Sequence, residues 1–240
     1  MTIPLVIYQT WKTRTLHENV QRIRDNIQKL NPEYRMELYD DHDMDTFIQT
    51  NMTPFMYDCY RQLNVGAAKA DFWRYCVLYI HGGVYLDMDS EITQPLKELI
   101  APTDTCIITR EGNPGVFNNW IMIFEKNHPI LLKTLQNCCD NIVRKTTHDV
   151  CYLTGPAGPF TAAVNEIMLP IYNQAGNDIS TLYLENDMKL NEVLNDPARE
   201  IRARFYGIDL GTFAKWKHAY CDYLYHGHTY WRNETKIFIS

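Results

Sequence analysis

The stretch Ala67–Asp89, AAKADFWRYCVLYIHGGVYLDMD, decides how this chain folds, because it reads as a helix, a two-glycine turn and a strand ending in paired carboxylates. Ala68, Phe72, Tyr75, Val77, Leu78 and Tyr79 recur at three- and four-residue steps, which predicts a helix over 64–80. Gly82 tolerates the left-handed conformation that ends helices, and Gly83 lets the backbone turn tightly into the next element. Val84–Asp89 then reads as a strand whose Val84, Leu86 and Met88 face a core while Tyr85, Asp87 and Asp89 face the other way. On such a strand the two aspartates sit about 6.6 Å apart, close enough for one to chelate a divalent cation while the other meets a metal-bound water or a hydroxyl of the same ligand. On the helix, Asp71 and Arg74 share a face at a three-residue step, where a guanidinium can hold a carboxylate or a phosphate.

A bare DxD pattern carries little information, and the chain repeats it at Asp41-His42-Asp43 and Asp43-Met44-Asp45. Those acids follow the run Tyr34–Tyr39 and precede Phe47 and Ile48, so they read as a loop with helix-start carboxylates favoured by the macrodipole. Asp87 and Asp89 follow an apolar strand and have no capping role, which leaves ligand binding to explain them.

Working outward, Leu16, Val20, Ile23, Ile27 and Leu30 make a helical stripe ended by Asn31-Pro32, and Met36–Tyr39 reads as a second strand. Strand, helix, strand predicts a parallel pair. Beyond Asp89, Thr105–Thr109 and Val116–Phe124 read as strands, Pro129–Lys145 as a helix, and another helix is expected after Pro159. The loop of Gly155, Pro156, Gly158 and Pro159 is either a plain turn or a set of helix-start amides able to hold a phosphate or hydroxyl. No linker, repeat or low-complexity tract divides the 240 residues, so one domain is expected. A hydrophobic fraction of 45% supports a sizeable core, and a net charge of -6 argues against a nucleic-acid partner. Seven cysteines without CxxC spacing suggest neither a zinc ribbon nor a paired disulfide framework. The chain shows no signal-peptide core and no run long enough to anchor it in a membrane, and its first strand begins at Ile3, so a reducing cytoplasm is the expected location.

The run AxxxDxxRxxxLxxxGGxYxDxD resembles the signature of the DXD-containing glycosyltransferases of family 32, which include capsular polysaccharide enzymes and the mannosyltransferase that initiates outer chains in the Golgi. More distantly it is similar to the glucosylating toxins of large clostridial type. Ile3–Trp11 resembles the family's opening strand, Asn31-Pro32 its NP turn, Thr154-Gly155-Pro156 its TGP segment, and His226–Trp231 its terminal histidine and tryptophan. Ala70 and Tyr230 stand where the family has serine.

The resemblance implies a single GT-A domain, a Rossmann-like mixed α/β sheet flanked by helices, with a nucleotide-sugar-binding half at about 1–100 and an acceptor-binding half at about 101–240. It implies Mn2+ or Mg2+ as cofactor, a UDP-sugar or GDP-mannose donor, a glycan or other hydroxyl acceptor, and retention at the anomeric carbon. Asp89 would bind the metal directly, and Asp87 the ribose and a metal-bound water. Asp71 and Arg74 would orient the donor sugar and diphosphate, and Trp11 would stack on the nucleobase. Gln9, Thr10, Tyr85, Asn118 and Trp231 complete the expected donor contacts, with Asn119 beside Asn118, and His226 or His228 would complete the metal shell. Read without the family, Trp11 fits a core position as well as a platform, and the HxH pair fits a structural role. Two other classes share part of the pattern. A metal-dependent phosphohydrolase or nucleotidyltransferase also pairs aspartates, but it typically adds further ligands for a second metal. A catalytically silent sugar-nucleotide-binding module would keep Trp11 and the fold while lacking the acidic pair.

Overall fold

The computed structural model describes residues 2–111, 115–174, 192–196, 201–206, 214–215 and 236–239. The first apolar run forms β1 (Val6–Thr10), and Ile23 and Ile27 of α1 (Glu18–Leu30) pack onto Ile3, Ile7 and Val84 at one sheet face. Asn31 stops α1: its side-chain amide donates to the Ile27 carbonyl at 3.0 Å, and its Oδ1 accepts the Leu96 amide at 2.7 Å. The chain returns as β2 (Arg35–Tyr39), parallel to β1 as the strand-helix-strand order predicts.

Next come α2 (Asp41–Asn51), α3 (Pro54–Arg61) and α4 (Gly66–His81), leading into β3 (Gly83–Leu86) beside β1. The remaining elements are β4 (Glu91–Ile92), α5 (Leu96–Leu99), β5 (Cys106–Thr109), β6 (Ile121–Phe124), α6 (Pro129–Arg144), α7 (Val150–Leu153), α8 (Thr161–Gln174), β7 (Glu192–Asp196), β8 (Ile201–Tyr206) and β9 (Ala214–Lys215). Among the described residues they build a seven-stranded sheet of order β2-β1-β3-β6-β5-β8-β7 and a small β4-β9 pair. Strands β1, β2, β3, β5 and β8 run parallel, while β6 and β7 run against them. The sheet is thus mixed, as expected.

Helices cover both faces. Ile7, Val84, Leu86, Ile121 and Ile123 meet α1 and α5, whereas Tyr8, Tyr85, Met122 and Phe124 meet α2, α3, α4, α6 and α8. Helix α4 lies at the centre of the second layer, with its residues Phe72, Trp73, Tyr75, Cys76, Val77 and Leu78 all fully buried. Each large apolar side chain so buried contributes about 1.5–3 kcal/mol. Among the described residues no helix is long and apolar enough to cross a membrane.

Several expected boundaries move for identifiable reasons. The strand expected over Val84–Asp89 stops at Leu86, because the Asp87 carbonyl accepts the Ser90 amide at 3.1 Å and bends the chain into a turn. Asp87 and Asp89 therefore sit on that turn and not on one strand face. The strand expected over Val116–Phe124 is confined to Ile121–Phe124, since the Asn118 amide donates to the Thr109 carbonyl and only an isolated bridge joins Phe117 to Arg110. The helix expected over 64–80 runs from Gly66 to His81. Gly82 ends it with φ of 66°, where an added Cβ would come within 2.6 Å of the Lys126 amide nitrogen; a Cβ on Gly83 would come within 2.8 Å of the Val6 carbonyl on β1. The carboxylates at 41–45 do start a helix: Asp40 and Asp43 form a reciprocal capping box at the head of α2. Glycines 155 and 158 face the backbone of Cys151 and Tyr152, which gives the loop before α8 a packing role.

His128, at the head of α6, accepts the Ile130 amide on Nδ1 while its Nε2 is buried without a partner, and burial lowers its pKa to about 3. It is neutral in the folded state, whereas the unfolded chain takes up a proton near pH 6.5. Stability from this site is therefore present above pH 6.5 and falls as the pH drops, by about 1.4 kcal/mol per unit. Urea unfolding of the wild type and of His128→Asn, which keeps a capping side chain, should show a shallower loss of stability between pH 6.5 and 5 in the variant. Equal slopes would refute the assignment.

Candidate active site

Parallel strands β1 and β3 end side by side, and their carboxyl ends carry Trp11 on one and Asp87, Met88 and Asp89 on the other. Crevices beyond the carboxyl ends of such strands are where open α/β sheets bind ligands. Asp87 is the first residue past β3, and its own amide still bonds to the Trp120 carbonyl at 2.8 Å.

Beneath the turn lies a buried charge cluster. The Arg74 guanidinium meets Asp87 Oδ1 at 3.1 Å and Asp71 Oδ1 at 3.2 Å with the same Nη2, donates through Nη1 to the Asn119 carbonyl at 2.6 Å, and lies 4.3 Å from the centre of the Tyr85 ring. Its Nε reaches back to the Ala70 carbonyl at 3.4 Å. The Tyr85 hydroxyl donates to Asp87 Oδ1 at 2.7 Å. Asp71 accepts from the Asn119 amide at 2.9 Å on Oδ1 and from the Thr154 hydroxyl at 3.3 Å on Oδ2, and the Asn119 amide also reaches the Tyr75 hydroxyl at 2.8 Å.

Two carboxylates thus share one guanidinium, and the titration of each group follows. Burial raises the Asp71 carboxyl to about 6 against the pull of Arg74. Burial also raises Asp87, opposed by Arg74 and the Tyr85 hydroxyl. Arg74 is held above its usual range because Asp87, Tyr85 and Asp71 outweigh the burial that disfavours its charge. With both carboxylates ionised the cluster carries one formal negative charge, which burial disfavours and a cation at the turn would offset.

Asp87 presents that charge outward. Its Oδ1 is occupied by Arg74 and Tyr85, whereas Oδ2 accepts no hydrogen bond among the described residues and the side chain is 26% exposed. One fixed hard oxygen on Asp87, with Asp89 two residues on in the same turn, fits a Mg2+ or Mn2+ ion that takes its other ligands from phosphate and water. No group of three or more acidic, histidine or cysteine side chains suited to a metal occurs among the described residues.

Other expected site residues fall into distinct places. Trp11 is half-buried and packs in a small cluster with Val20, Met88, Leu16 and Leu38, so part of its ring belongs to the core and the rest reaches the edge. Gln9 is fully buried between Arg24 and the Asp87 carbonyl, and the Thr10 hydroxyl is engaged by the Tyr39 carbonyl at 2.9 Å and the Met44 sulfur at 3.0 Å. Of the paired asparagines, Asn119 joins the charge cluster, while the Asn118 amide turns to the Arg110 carbonyl at 3.4 Å and its Oδ1 is buried without a partner. His226, His228 and Trp231 lie outside the described residues. Thr154, Tyr75 and Arg24 were not expected here. Thr154 opens the TGP segment, and Tyr75 follows Asp71 by four residues on the same helix face, so both carried a signal.

Arg74→Met leaves two carboxylates beside each other without their shared cation, a change that costs about 3–5 kcal/mol where the pair is buried. Urea unfolding at pH 7 is expected to show a loss of that size. A loss below about 1 kcal/mol would mean that the guanidinium does not hold this centre together.

Residues 17–106 match the family described as "Glycosyltransferase sugar-binding region containing DXD motif". The chain is 36% identical over 137 residues to inositol phosphoceramide mannosyltransferase 3 of Schizosaccharomyces pombe, a match covering 56% of this chain and 37% of that protein. It is 24% identical over 208 residues to the initiation-specific alpha-1,6-mannosyltransferase of Candida albicans, covering 69% of this chain and 53% of the relative. The chain therefore spans between about a third and about a half of the length of these two relatives. Among solved structures, the PaToxG glycosyltransferase superposes with a TM-score of 0.57 at 21% identity, over 75% of this chain and 74% of that one, which establishes the GT-A fold. Helix α4, the glycine turn and the acidic turn all lie inside the segment that is similar to the sugar-binding region of the DXD-containing glycosyltransferases.

Proposed function

We propose that this protein is a metal-dependent retaining glycosyltransferase that moves a hexose from a nucleotide diphosphate sugar to a glycan or other hydroxyl acceptor. The observation that carries the reading is Asp87, clamped on one oxygen by Arg74 and Tyr85 and open on the other, at the strand edge beside Trp11. Asp87 and Asp89 would hold the dication. When bound, it supplies Lewis-acid stabilisation of the charge that builds on the departing diphosphate. Trp11 offers the exposed part of its ring to the nucleobase, and Asp71 lies buried beside Arg74. Because both Asp71 oxygens are engaged by Asn119, Arg74 and Thr154, this carboxylate is poorly placed to act as base or nucleophile. That supports transfer in which the leaving phosphate itself takes the acceptor proton on the same face. The names of the relatives speak of mannosyl transfer, and one of inositol phosphoceramide, which supports trying mannosyl donors and that acceptor first.

Incubation with Mn2+ and a panel of UDP and GDP sugars should release nucleotide slowly from one donor, with loss on chelation. Asp89→Asn keeps the size and removes the charge, so release should fall about 100-fold, or about 2.7 kcal/mol in the barrier. Undiminished release by that variant would defeat the metal role. Calorimetry should show Trp11→Ala binding the nucleotide about 5- to 10-fold more weakly, within the worth of one aromatic stack; unchanged affinity would make Trp11 a core residue alone.

A further inference from the structure

We propose that Arg24 is a positioning residue for the acidic turn, acting through the buried amide of Gln9; the inference rests on the metal-binding reading of Asp87 and Asp89. Gln9 lies on β1 with its side chain fully buried. Its Oε1 accepts from Arg24 Nη1 at 2.5 Å, and its Nε2 contacts the Asp87 carbonyl at 3.5 Å. A guanidinium has only donors to offer, so Arg24 fixes which end of the Gln9 amide faces it. The amide's N–H2 is thereby turned towards Asp87.

The Asp87 carbonyl already accepts the Ser90 amide that closes the turn. Gln9 adds a second donor at the same oxygen, from the side of the sheet where α1 packs. Arg24 itself is half-buried and has its charge disfavoured by burial, with only partial relief from Asp25. Its bond to Gln9 compensates part of that burial. The same bond orients the Gln9 amide. Arg74 and Tyr85 fix the Asp87 side chain, while Arg24 and Gln9 steady its main chain from the opposite layer.

The probe is Mn2+ in the presence of UDP or GDP, with free Mn2+ read by electron paramagnetic resonance and melting temperature followed in parallel. Arg24→Met is expected to weaken Mn2+ binding about 10-fold, the scale seen when partners behind a metal ligand are lost. Gln9→Leu should do the same, and the double variant no more than either alone, because both remove one relay. Arg24→Lys, which still donates to Oε1, should stay within about 3-fold of wild type.

Gln9→Glu gives the sharpest reading and keeps the contact to Arg24. Its added negative charge by itself would tighten a cation site. The loss of the N–H2 facing Asp87 would loosen it instead, and about 10-fold weaker binding is expected. Tighter binding in Gln9→Glu, additive losses in the double variant, or wild-type affinity in Arg24→Met would each overturn the relay while leaving the metal site standing. A wild type that binds no Mn2+ with either nucleotide would overturn the metal reading and the relay together.

Discussion

One guanidinium shared between two buried carboxylates is the constraint on which this architecture depends. Arg74 stands on a helix inside the protein, and its partners come from α4 itself, from the turn after β3 and from the loop before β6. Taking three charges out of water is costly, and the arrangement holds only because each is met by several hydrogen bonds. The surrounding aromatic and aliphatic packing of α4 keeps water away from the cluster, which lengthens the reach of every charge in it. Packing and electrostatics are here a single device. The core that buries Trp73 and Tyr75 also holds the guanidinium that clamps Oδ1 of Asp87.

Much of this was legible in the chain. The 3.6-residue stripe, the glycine pair and the run of β-formers locate α4 and β3 to within two or three residues, because each signal is local. The capping role of the acids at 41–45 was equally readable, since a helix start needs only its neighbours. The end of β3 was misread. Alternation of apolar and polar residues persists through Met88, yet Met88 packs on Trp11 and Val20 beyond the sheet, an apolar partner that mimics strand burial.

Long-range partners are what the sequence withheld. Nothing near Asn119 says that its side chain, and not that of Asn118, reaches a helix 48 positions earlier; only the register of β6 against β3 decides which asparagine faces α4. The three-residue step pairs Arg74 with Asp71 on one helix face, but the bond from Arg74 to Asp87 joins that helix to the turn after β3 and has no local signal. Asn119 and Thr154, far along the chain, likewise complete the surroundings of Asp71.

Met88 has a consequence of its own. As the middle residue of the acidic triplet it is nearly buried, wedged with Val20 against the indole of Trp11. The aromatic surface at the tip of one strand and the turn that carries the carboxylates at the tip of the next therefore share one packed cluster. Any occupant of the ring and any occupant of the turn would then meet through the same side chain. By thermodynamic reciprocity, whatever free energy one occupant gains from the other's presence must be returned in equal measure.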